Sequence, residues 1–514
     1  MGRKLMSSSH DADAKKLAEL GYKQEFDRKW SGFNNFAISF SIISILSGCF
    51  TTFGQAWNNG GPVAIAIGWP LVATFVTLVG LSMAELVSAM PTAGGIYYWS
   101  LKLGRPIHGW ITGWLNLMGL IAVTAGVDFG LALFSQNAAA QYWHWFNPIN
   151  LKQTFLIFLI ILALHVIINV YGAKIIHQFQ GVNVWWHVFG VAIIIGIFLF
   201  YPAHHASASW VFTHQINNGG FGTGNGKFWW YIFPLGFLLS QYTLTGFDAS
   251  AHVSEETGGA STEAAKGIWK SIVYSGVAGW VMLLAMLFAI SGSQADAITK
   301  GGGSSGAVII TVLGLGIWAK LVFIISCVGQ FLCGMSCVTA GSRMLFAFSR
   351  DKAVPGSKFF SKLDKNRNPS NAAIGLATAA LVITLPALYA PKGVPGYPVA
   401  FFAVTSITVI GLFTAFAIPI YLRWRMGDKF VQGDWNLGRH WRWIAPLAVL
   451  EVAIVSIYFI MPASPAAIPF RKGFSWYSFN YTPLAVIVIL GGALIWWFAG
   501  AKDHFKGPIR TIDQ

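Results

Sequence analysis

The first long apolar segment of the chain, residues 36–57, is interrupted near its middle by small and hydroxyl residues. Its centre reads Ser41-Ile-Ile-Ser-Ile-Leu-Ser-Gly-Cys-Phe50, with Ser47-Gly48 at the middle and Thr51 just beyond. Glycine and serine are poor helix formers at such a position. An interrupted helix exposes backbone N–H and C=O groups that lipid cannot satisfy, so they must lie within protein or line a wet cavity. The segment therefore predicts a broken membrane helix buried among others.

A second interruption lies about two hundred residues later, in the apolar segment 229–253. There the chain reads Tyr242-Thr-Leu-Thr-Gly-Phe-Asp248. Interrupted hydrophobic segments at corresponding places in two halves of a chain are the best sequence indication of the binding site of a secondary transporter.

The composition indicates an all-α integral membrane protein. Hydrophobic residues make up 55% of the 514 residues and charged residues only 10%, whereas soluble domains carry about 25% charge. Twelve segments are long enough to cross a bilayer about 30 Å thick. They are centred in 36–57, 62–88, 107–134, 153–171, 181–201, 229–253, 268–291, 319–348, 372–390, 398–422, 443–462 and 481–500.

The distribution of basic residues predicts the orientation. If both termini are cytoplasmic, most of the 34 lysines and arginines fall in cytoplasmic segments, as the positive-inside rule requires. We therefore expect a multi-pass protein of the cell (plasma or inner) membrane with both termini inside. The net charge of +15 then reflects topology and contact with anionic membrane lipid, not nucleic-acid binding.

Several motifs resemble those of the amino acid–polyamine–organocation permeases. Ser47-Gly48-Cys49-Phe50 resembles the GSG(I/V)F motif of that superfamily, with Leu46 in place of its first glycine. The stretch from Ala84 to Trp99 is similar to its AEL…P..GG.Y.w signature. Thr245-Gly-Phe-Asp-Ala249 with Glu255-Glu256 resembles its GFE…EE pattern, and 340–351 resembles the end of its eighth span. Within the superfamily the chain looks most like the amino acid/choline transporter branch, which includes γ-aminobutyrate and choline permeases.

This resemblance implies the LeuT-like fold, in which two inverted five-helix repeats are followed by two extra helices and in which spans 1 and 6 are interrupted. The expected divisions are a cytoplasmic tail (1–35), a first repeat (36–201), an external loop (202–228), a second repeat (229–425), the last two spans (426–500) and a cytoplasmic C-terminal tail (501–514).

The two interruptions supply the candidate substrate-binding residues. On the first span they are Ser44, Ile45, Ser47, Gly48 and Cys49, with free N–H groups at a half-helix that begins near Gly48, where they suit a carboxylate. On the sixth they are Tyr242, Thr245, Gly246 and Phe247, and family analogy makes Tyr242 or Phe247 an aromatic gate. Alternatively, the small residues serve helix packing, and Tyr242 is a hydrogen-bonded core residue.

Three ionisable residues at membrane depth are functional candidates by their location alone. Asp248 aligns with an acidic family position tied to proton coupling, so we expect it to titrate during transport; the alternative is a structural hydrogen bond. His187 suits proton sensing or packing. Asp128, which the family signature does not supply, would attract a cationic substrate or take part in proton entry, or would instead reach the outer interface. Glu85, Glu255 and Glu256 are expected to form ion pairs near Arg343 and Arg350 at the cytoplasmic ends.

These features favour a secondary active transporter that imports an amino acid or related amine, such as γ-aminobutyrate or a basic amino acid, by alternating access and proton symport. The alternatives are a choline or polyamine transporter and an amino acid exchanger. A channel would show a filter-like repeat or a charged ring, and none is visible. No phosphate-binding motif and no nucleophile–base or metal-ligand cluster is present, so we expect neither an enzyme nor a bound cofactor or metal.

Overall fold

The computed structural model of the chain describes residues 13–172, 176–224, 226–389, 399–507, 509 and 512. Eleven helical stretches of these residues are long and apolar enough to cross a membrane. The predicted sixth span is not among them because its pieces are too short. In chain order the membrane helices are α1a (Gly32–Ile42), α1b (Ile45–Thr51), α2 (Gly68–Ala89), α3 (Pro106–Ala140), α4 (Leu151–Tyr171), α5 (Ile176–Phe200), α6a (Leu238–Thr243), α6b (Ala249–His252), α7 (Ala260–Phe288), α8 (Ile317–Arg350), α9 (Ser370–Thr384), α10 (Val399–Met426), α11 (Trp441–Ile460) and α12 (Thr482–Trp496).

Short helices and one small sheet connect these spans. Strands β1 (Asn59–Gly60) and β2 (Ile216–Asn217) pair in antiparallel fashion, so part of the predicted loop 202–228 is ordered against the end of the first span. The short helices are Phe53–Asn58, Pro62–Ala66, Gly95–Leu103, Ala208–Thr213, Phe228–Ile232, Phe233–Leu235, Ser254–Glu256, Gly292–Gln294, Ala295–Lys300, Ser305–Leu313, Ser357–Phe360, Leu385–Leu388, Gly427–Lys429, Pro465–Ala467, Trp497–Ala501 and Lys502–His504.

The first span is broken at Ile43 and Ser44, about one turn before the predicted centre at Ser47-Gly48. Ser44 has an extended backbone (φ −69°, ψ 103°), and its Oγ accepts a hydrogen bond from the N–H of Ser47 at 3.1 Å. Serine is a favoured N-cap because its hydroxyl satisfies one of the amides that the first helical turn leaves without a partner. The break therefore lies where a helix can restart, rather than at the glycine.

The sixth span is broken between Thr243 and Ala249, as predicted. Gly246 lies in this unwound segment with φ +91°, a conformation that residues with a Cβ rarely adopt. A Cβ at Gly246 would also overlap the side chain of Ile42, the last residue of α1a. The two breaks are thus in direct contact at the point where the first and sixth spans cross.

Polar side chains of α1a form hydrogen bonds with the backbone of the sixth span at the end of its break. Ser39 Oγ donates to the carbonyl of Phe247 at 2.8 Å and accepts from the N–H of Ser250 at 2.9 Å. Asn35 Nδ2 donates to the carbonyl of Ser250 at 3.0 Å. These bonds replace the helical bonds that the unwound segment has lost, as a membrane interior requires.

The broken spans are enclosed by the long unbroken helices. Helix α3 packs extensively against α10 and α8, and α2 packs against α7. Helix α12 lies outermost, because few residues of its span are buried. This arrangement agrees with an all-helical membrane fold, while the grouping into two repeats stays a prediction.

The two ends of the described chain meet at Asp351, just beyond the end of α8. The hydroxyl of Tyr22 donates to Asp351 Oδ2 at 3.0 Å, and the N–H of Ile509 donates to Oδ1 at 3.0 Å. Burial raises the pKa of Asp351 above its usual range, and burial also raises the pKa of Tyr22. Both ends of the described chain therefore lie at the same end of the helix bundle, where Tyr22 and Ile509 contact Asp351.

Buried ion pairs join distant parts of the chain at this end of the bundle. Glu255 pairs with Arg350 at 3.2 Å and Glu256 with Arg343 at 2.9 Å, as expected. The expectation for Glu85 was wrong in its partner. Its Oε2 lies 2.8 Å from Nε of Arg423 on α10, because α2 faces α10 at this level.

Removing one partner of the Glu85–Arg423 pair should destabilise the fold strongly. The two side chains are 1% and 3% exposed, so Arg423→Gln leaves a buried carboxylate without its countercharge, at a cost of about 3–5 kcal/mol. We expect a large fall in the thermal unfolding temperature of the detergent-solubilised protein. The double variant Glu85→Gln/Arg423→Gln should recover part of this loss, and an unfolding temperature unchanged by the single substitution would contradict the assignment.

Candidate functional site

The break in the first span is held by a hydrogen bond between Ser44 and His187 on α5. Ser44 Oγ lies 2.6 Å from Nε2 of His187, whose Nδ1 lies 2.9 Å from the carbonyl of Asn183. A carbonyl only accepts, so Nδ1 carries the hydrogen, and in a neutral ring Nε2 accepts from the Ser44 hydroxyl. His187 is 1% exposed. A proton added to this ring would force the Ser44 hydroxyl to turn away.

The prediction that the second half-helix begins near Gly48, with free N–H groups there, was wrong, because the half-helix begins at Ile45. The N–H of Gly48 donates to the carbonyl of Ser44 at 2.8 Å, within the first turn of α1b. The hydrogen that a side chain would replace faces α6a instead, where an added Cβ would lie 2.8 Å from Cα of Thr243. Gly48 therefore sets the close approach of the two half-helices. The first-turn amides without a helical acceptor belong to Ile45 and Leu46.

Buried hydroxyl groups without hydrogen-bond partners lie on both sides of this approach. Among the described residues, the unpartnered atoms include Oγ of Ser41 and Ser47 on the first span and the hydroxyls of Tyr242 and Thr245 on the sixth. Buried polar groups are normally paired, so this concentration marks a place that a polar ligand could occupy. Among the described residues the Tyr242 hydroxyl has no protein partner, so the structure gives no support to the alternative of a hydrogen-bonded core tyrosine.

Two further residues of the predicted substrate site, Phe247 and Cys49, are fully buried. Phe247 packs its ring against Phe413 and Phe416 of α10, with centroids 6.0 and 5.2 Å apart. Cys49 is free and has no exposed surface. Phe247 thus contacts α10 rather than its neighbour Tyr242, and its role as a gate stays a prediction.

Asp248 is the last residue of the unwound segment, directly before α6b, and it contacts two polar side chains. Its Oδ2 accepts a hydrogen bond from Nδ2 of Asn116 at 3.3 Å and lies 3.2 Å from Nε2 of His252. Its Oδ1 has no partner among the described residues. His252 was not predicted from the sequence, although its position four residues after Asp248 would place the two side chains on one face of a helix.

Asp128 is buried inside the bundle, so the alternative that it reaches the outer interface was wrong. Its Oδ2 lies 3.0 Å from Nδ1 of His165 on α4, and both side chains are 0% exposed. Its Oδ1 has no partner among the described residues. His165 was also missed, although an ionisable residue in the middle of the fourth apolar segment is itself a functional signal.

The site thus brings together most of the predicted residues. At the break in the first span, Ser44 contacts His187 and Gly48 lies against Thr243 at the end of α6a. Asp248 lies further along the sixth span. In the part of the chain that the structure describes, no three His, Cys, Asp or Glu side chains group in a way that would hold a metal ion.

Comparison with known proteins identifies the family. A family model described as amino acid permease matches residues 31–491. The amino-acid permease BAT1 of Arabidopsis thaliana is 37% identical over 98% of this chain and 97% of its own length. Its homolog in Oryza sativa subsp. japonica is 38% identical over 98% and 96%. The GABA-specific permease of Saccharomyces cerevisiae is 28% identical over 98% and 86%. The chain therefore belongs to the amino acid permease family, and it is a multi-pass membrane transporter rather than an enzyme.

Proposed function

We propose that this permease is a secondary active transporter that imports a zwitterionic or cationic amino acid by alternating access, with protons as the coupling ion. The observation that carries the proposal is the contact between two interrupted helices with a fully buried carboxylate, Asp248, in the unwound segment of one of them. Interrupted helices that cross at membrane depth form the substrate and ion sites of secondary transporters. A carboxylate at that depth is costly to retain without a function.

The substrate would bind among the unpartnered groups of the two breaks. Hydroxyls of Ser47 and Thr245, together with the first-turn amides of α1b, can donate to a carboxylate. The free oxygen of Asp128 offers a partner for an ammonium group. Asp128 lies on α3 two residues after Gly126, and the hydroxyl of Tyr242 lies beside Gly126. A substrate with both charges, such as γ-aminobutyrate or a basic amino acid, satisfies both sets of groups. The name of the yeast relative points to the same class of substrate.

His187 is the second candidate for proton coupling. It contacts Ser44, the residue that starts the second half of the first span. Protonation would reverse the direction of that hydrogen bond, because both ring nitrogens then donate. A proton on His187 would thus make the Ser44 hydroxyl donate to a different acceptor, so the hydrogen bonding at the start of α1b would respond to the protonation state of the ring.

The end of the bundle that carries both ends of the described chain is proposed to be cytoplasmic, in the cell membrane. The buried arginines 343, 350 and 423 lie at this end, and so do the basic segments that the positive-inside rule places in the cytoplasm. Substrate import then runs from the β1–β2 side of the protein toward the ion pairs.

Uptake into proteoliposomes tests this proposal. We expect saturable uptake of labelled γ-aminobutyrate or arginine that is driven by an inward proton gradient and not by a sodium gradient. Choline uptake alone would mean that no carboxylate is bound at the first break. Transport only after preloading with substrate would indicate an exchanger.

Asp128 should contribute to the affinity for substrates that carry an ammonium group. In Asp128→Asn the free carboxylate oxygen is replaced by an uncharged amide, so affinity for arginine or γ-aminobutyrate should fall by about tenfold, the equivalent of one charge-assisted hydrogen bond of roughly 1.5 kcal/mol. The KM for uptake measures this effect. An unchanged KM would show that the ammonium group binds elsewhere.

A further inference from the structure

The hydrogen-bond partners of His252 determine which of its ring nitrogens carries a hydrogen. The side chain is 0% exposed at the end of α6b. Its Nδ1 lies 3.0 Å from the carbonyl oxygen of Ala93, and its Nε2 lies 3.2 Å from Oδ2 of Asp248. A carbonyl oxygen can only accept, so Nδ1 carries a hydrogen.

The contact between His252 and Asp248 then requires one more hydrogen. In a neutral ring with its hydrogen on Nδ1, Nε2 is an acceptor. An ionised carboxylate is also an acceptor, so the two atoms would face each other with lone pairs in a buried site where such repulsion is poorly screened. The contact is favourable in only two forms: imidazolium with carboxylate, or imidazole with carboxylic acid. Both forms contain one proton between the two atoms, and both leave the pair with no net charge.

We propose that Asp248 and His252 form a single protonation site, which holds one shared proton in this conformation and releases it when the inner half of the sixth span moves. The inference rests on the proposed proton coupling and identifies the partner that makes Asp248 able to carry the proton. Release leaves a neutral imidazole, a carboxylate and a free proton, so charge and atoms balance. Asn116 donates to the carboxyl group whether Asp248 is ionised or neutral, and it can stay in place through the cycle.

The carbonyl that orients His252 is itself attached to the ion pairs at the end of the bundle. The N–H of Ala93 donates to Oε1 of Glu255 at 2.9 Å, and Glu255 pairs with Arg350. Separation of this ion pair would release Ala93, and with it the constraint on Nδ1 of His252. The ring could then turn away from Asp248, which breaks the contact that stabilises the shared proton. Opening of this end is thereby linked to proton release toward it.

The charged and titratable groups around the pair are otherwise compensated. From the turn after α6b they are Glu255 and Glu256, which pair with Arg350 and Arg343 of α8. Cys337 of α8 also lies close enough to interact with Asp248, and it is a free thiol. From the helix Gly95–Leu103 the buried titratable groups are Tyr97, which donates to Asp351, and Tyr98, which donates to the carbonyl of Leu20. Each of the carboxylates named here other than Asp248 has an arginine or tyrosine donor, so Asp248 and His252 depend on each other.

The variant His252→Gln tests the proposal in proteoliposomes. Glutamine can donate a hydrogen bond to Asp248 but cannot exchange a proton. We expect proton movement per transported substrate to fall nearly to background and accumulation driven by one pH unit to lose its roughly tenfold advantage, while substrate exchange stays measurable. The matched control His204→Gln alters an exposed histidine of the loop before β2 and should behave like the unmodified protein. Proton movement and a pH profile equal to those of the control would overturn the proposal.

A double variant separates a single site from two independent ones. If Asp248 and His252 act as one site, Asp248→Asn/His252→Gln should lose no more proton coupling than either single variant. Proton coupling that survives in either single variant and is lost only in the double variant would overturn the proposal. The double variant also removes the unpaired buried carboxylate, so it stays informative if His252→Gln alone does not fold. Absence of proton movement in the unmodified protein would instead contradict the proposed function itself.

Discussion

Replacing Asp248 by asparagine is expected to abolish the accumulation of substrate against its gradient. Coupling to one proton supplies about 1.4 kcal/mol for each pH unit, which sustains roughly a tenfold concentration ratio. Asparagine keeps the size of the side chain and can still bond to Asn116, but it cannot bind and release a proton. Uptake driven by an inward proton gradient should therefore fall to the level reached without a gradient, and the pH dependence of uptake should become flat.

The measurement is uptake of labelled substrate into proteoliposomes over a range of external pH, with exchange against internal substrate recorded in parallel. Asp296→Asn is the matched control, because Asp296 is exposed in a helix between α7 and α8. A loss of both exchange and accumulation would indicate a structural role for Asp248. A normal response of the Asp248 variant to an imposed pH gradient would eliminate the coupling role.

The architecture could be predicted from the sequence because the membrane leaves few choices. Long apolar segments mark helices, and an interruption by Ser44 to Gly48 or by Thr245-Gly246 has to be satisfied by protein. The all-helical fold and the two broken spans were therefore predicted correctly. The exact position of the first break was not, because Ser44 and Ser47 are both able to cap a helix, and only the packed structure decides which one does.

The chemistry of single glycines and the pairing of charges were harder to predict. A glycine can expose backbone amides to a ligand, or it can allow two helices to approach closely. The neighbouring sequence does not distinguish these two roles, so Gly48 was predicted to lie at exposed amides although it allows a close approach. Glu85 and Arg423 lie on different spans far apart in sequence, and their contact follows from the packing of α2 beside α10. The pair Asp128–His165 likewise joins two helices. By contrast, His252 is only one helical turn after Asp248, and helical spacing would have found it.

The substitution Gly48→Ala should reduce transport by at least about fivefold, since overpacking of a tight contact costs roughly 1–3 kcal/mol. The added Cβ would lie 2.8 Å from Cα of Thr243, a backbone atom that cannot rotate away. Alanine is the better helix former by about 1 kcal/mol, so a loss cannot come from a weaker α1b. The strain falls on conformations in which α1b and α6a are in contact, and it lowers their population accordingly. Initial uptake rates at saturating substrate measure the effect.

Gly196→Ala provides the matched control, because a Cβ at Gly196 on α5 would meet no atom within 4 Å. It makes the same chemical change in another membrane helix and should leave transport nearly unchanged. Combining Gly48→Ala with Thr243→Ala removes the overlap with Oγ1 but not the one with Cα, so transport should recover only in part. Full activity of Gly48→Ala alone would mean that the half-helices do not need to come this close during the transport cycle. A partial rescue would instead show that the backbone contact between α1b and α6a limits transport. Alternating access by two crossing half-helices requires such a contact between them.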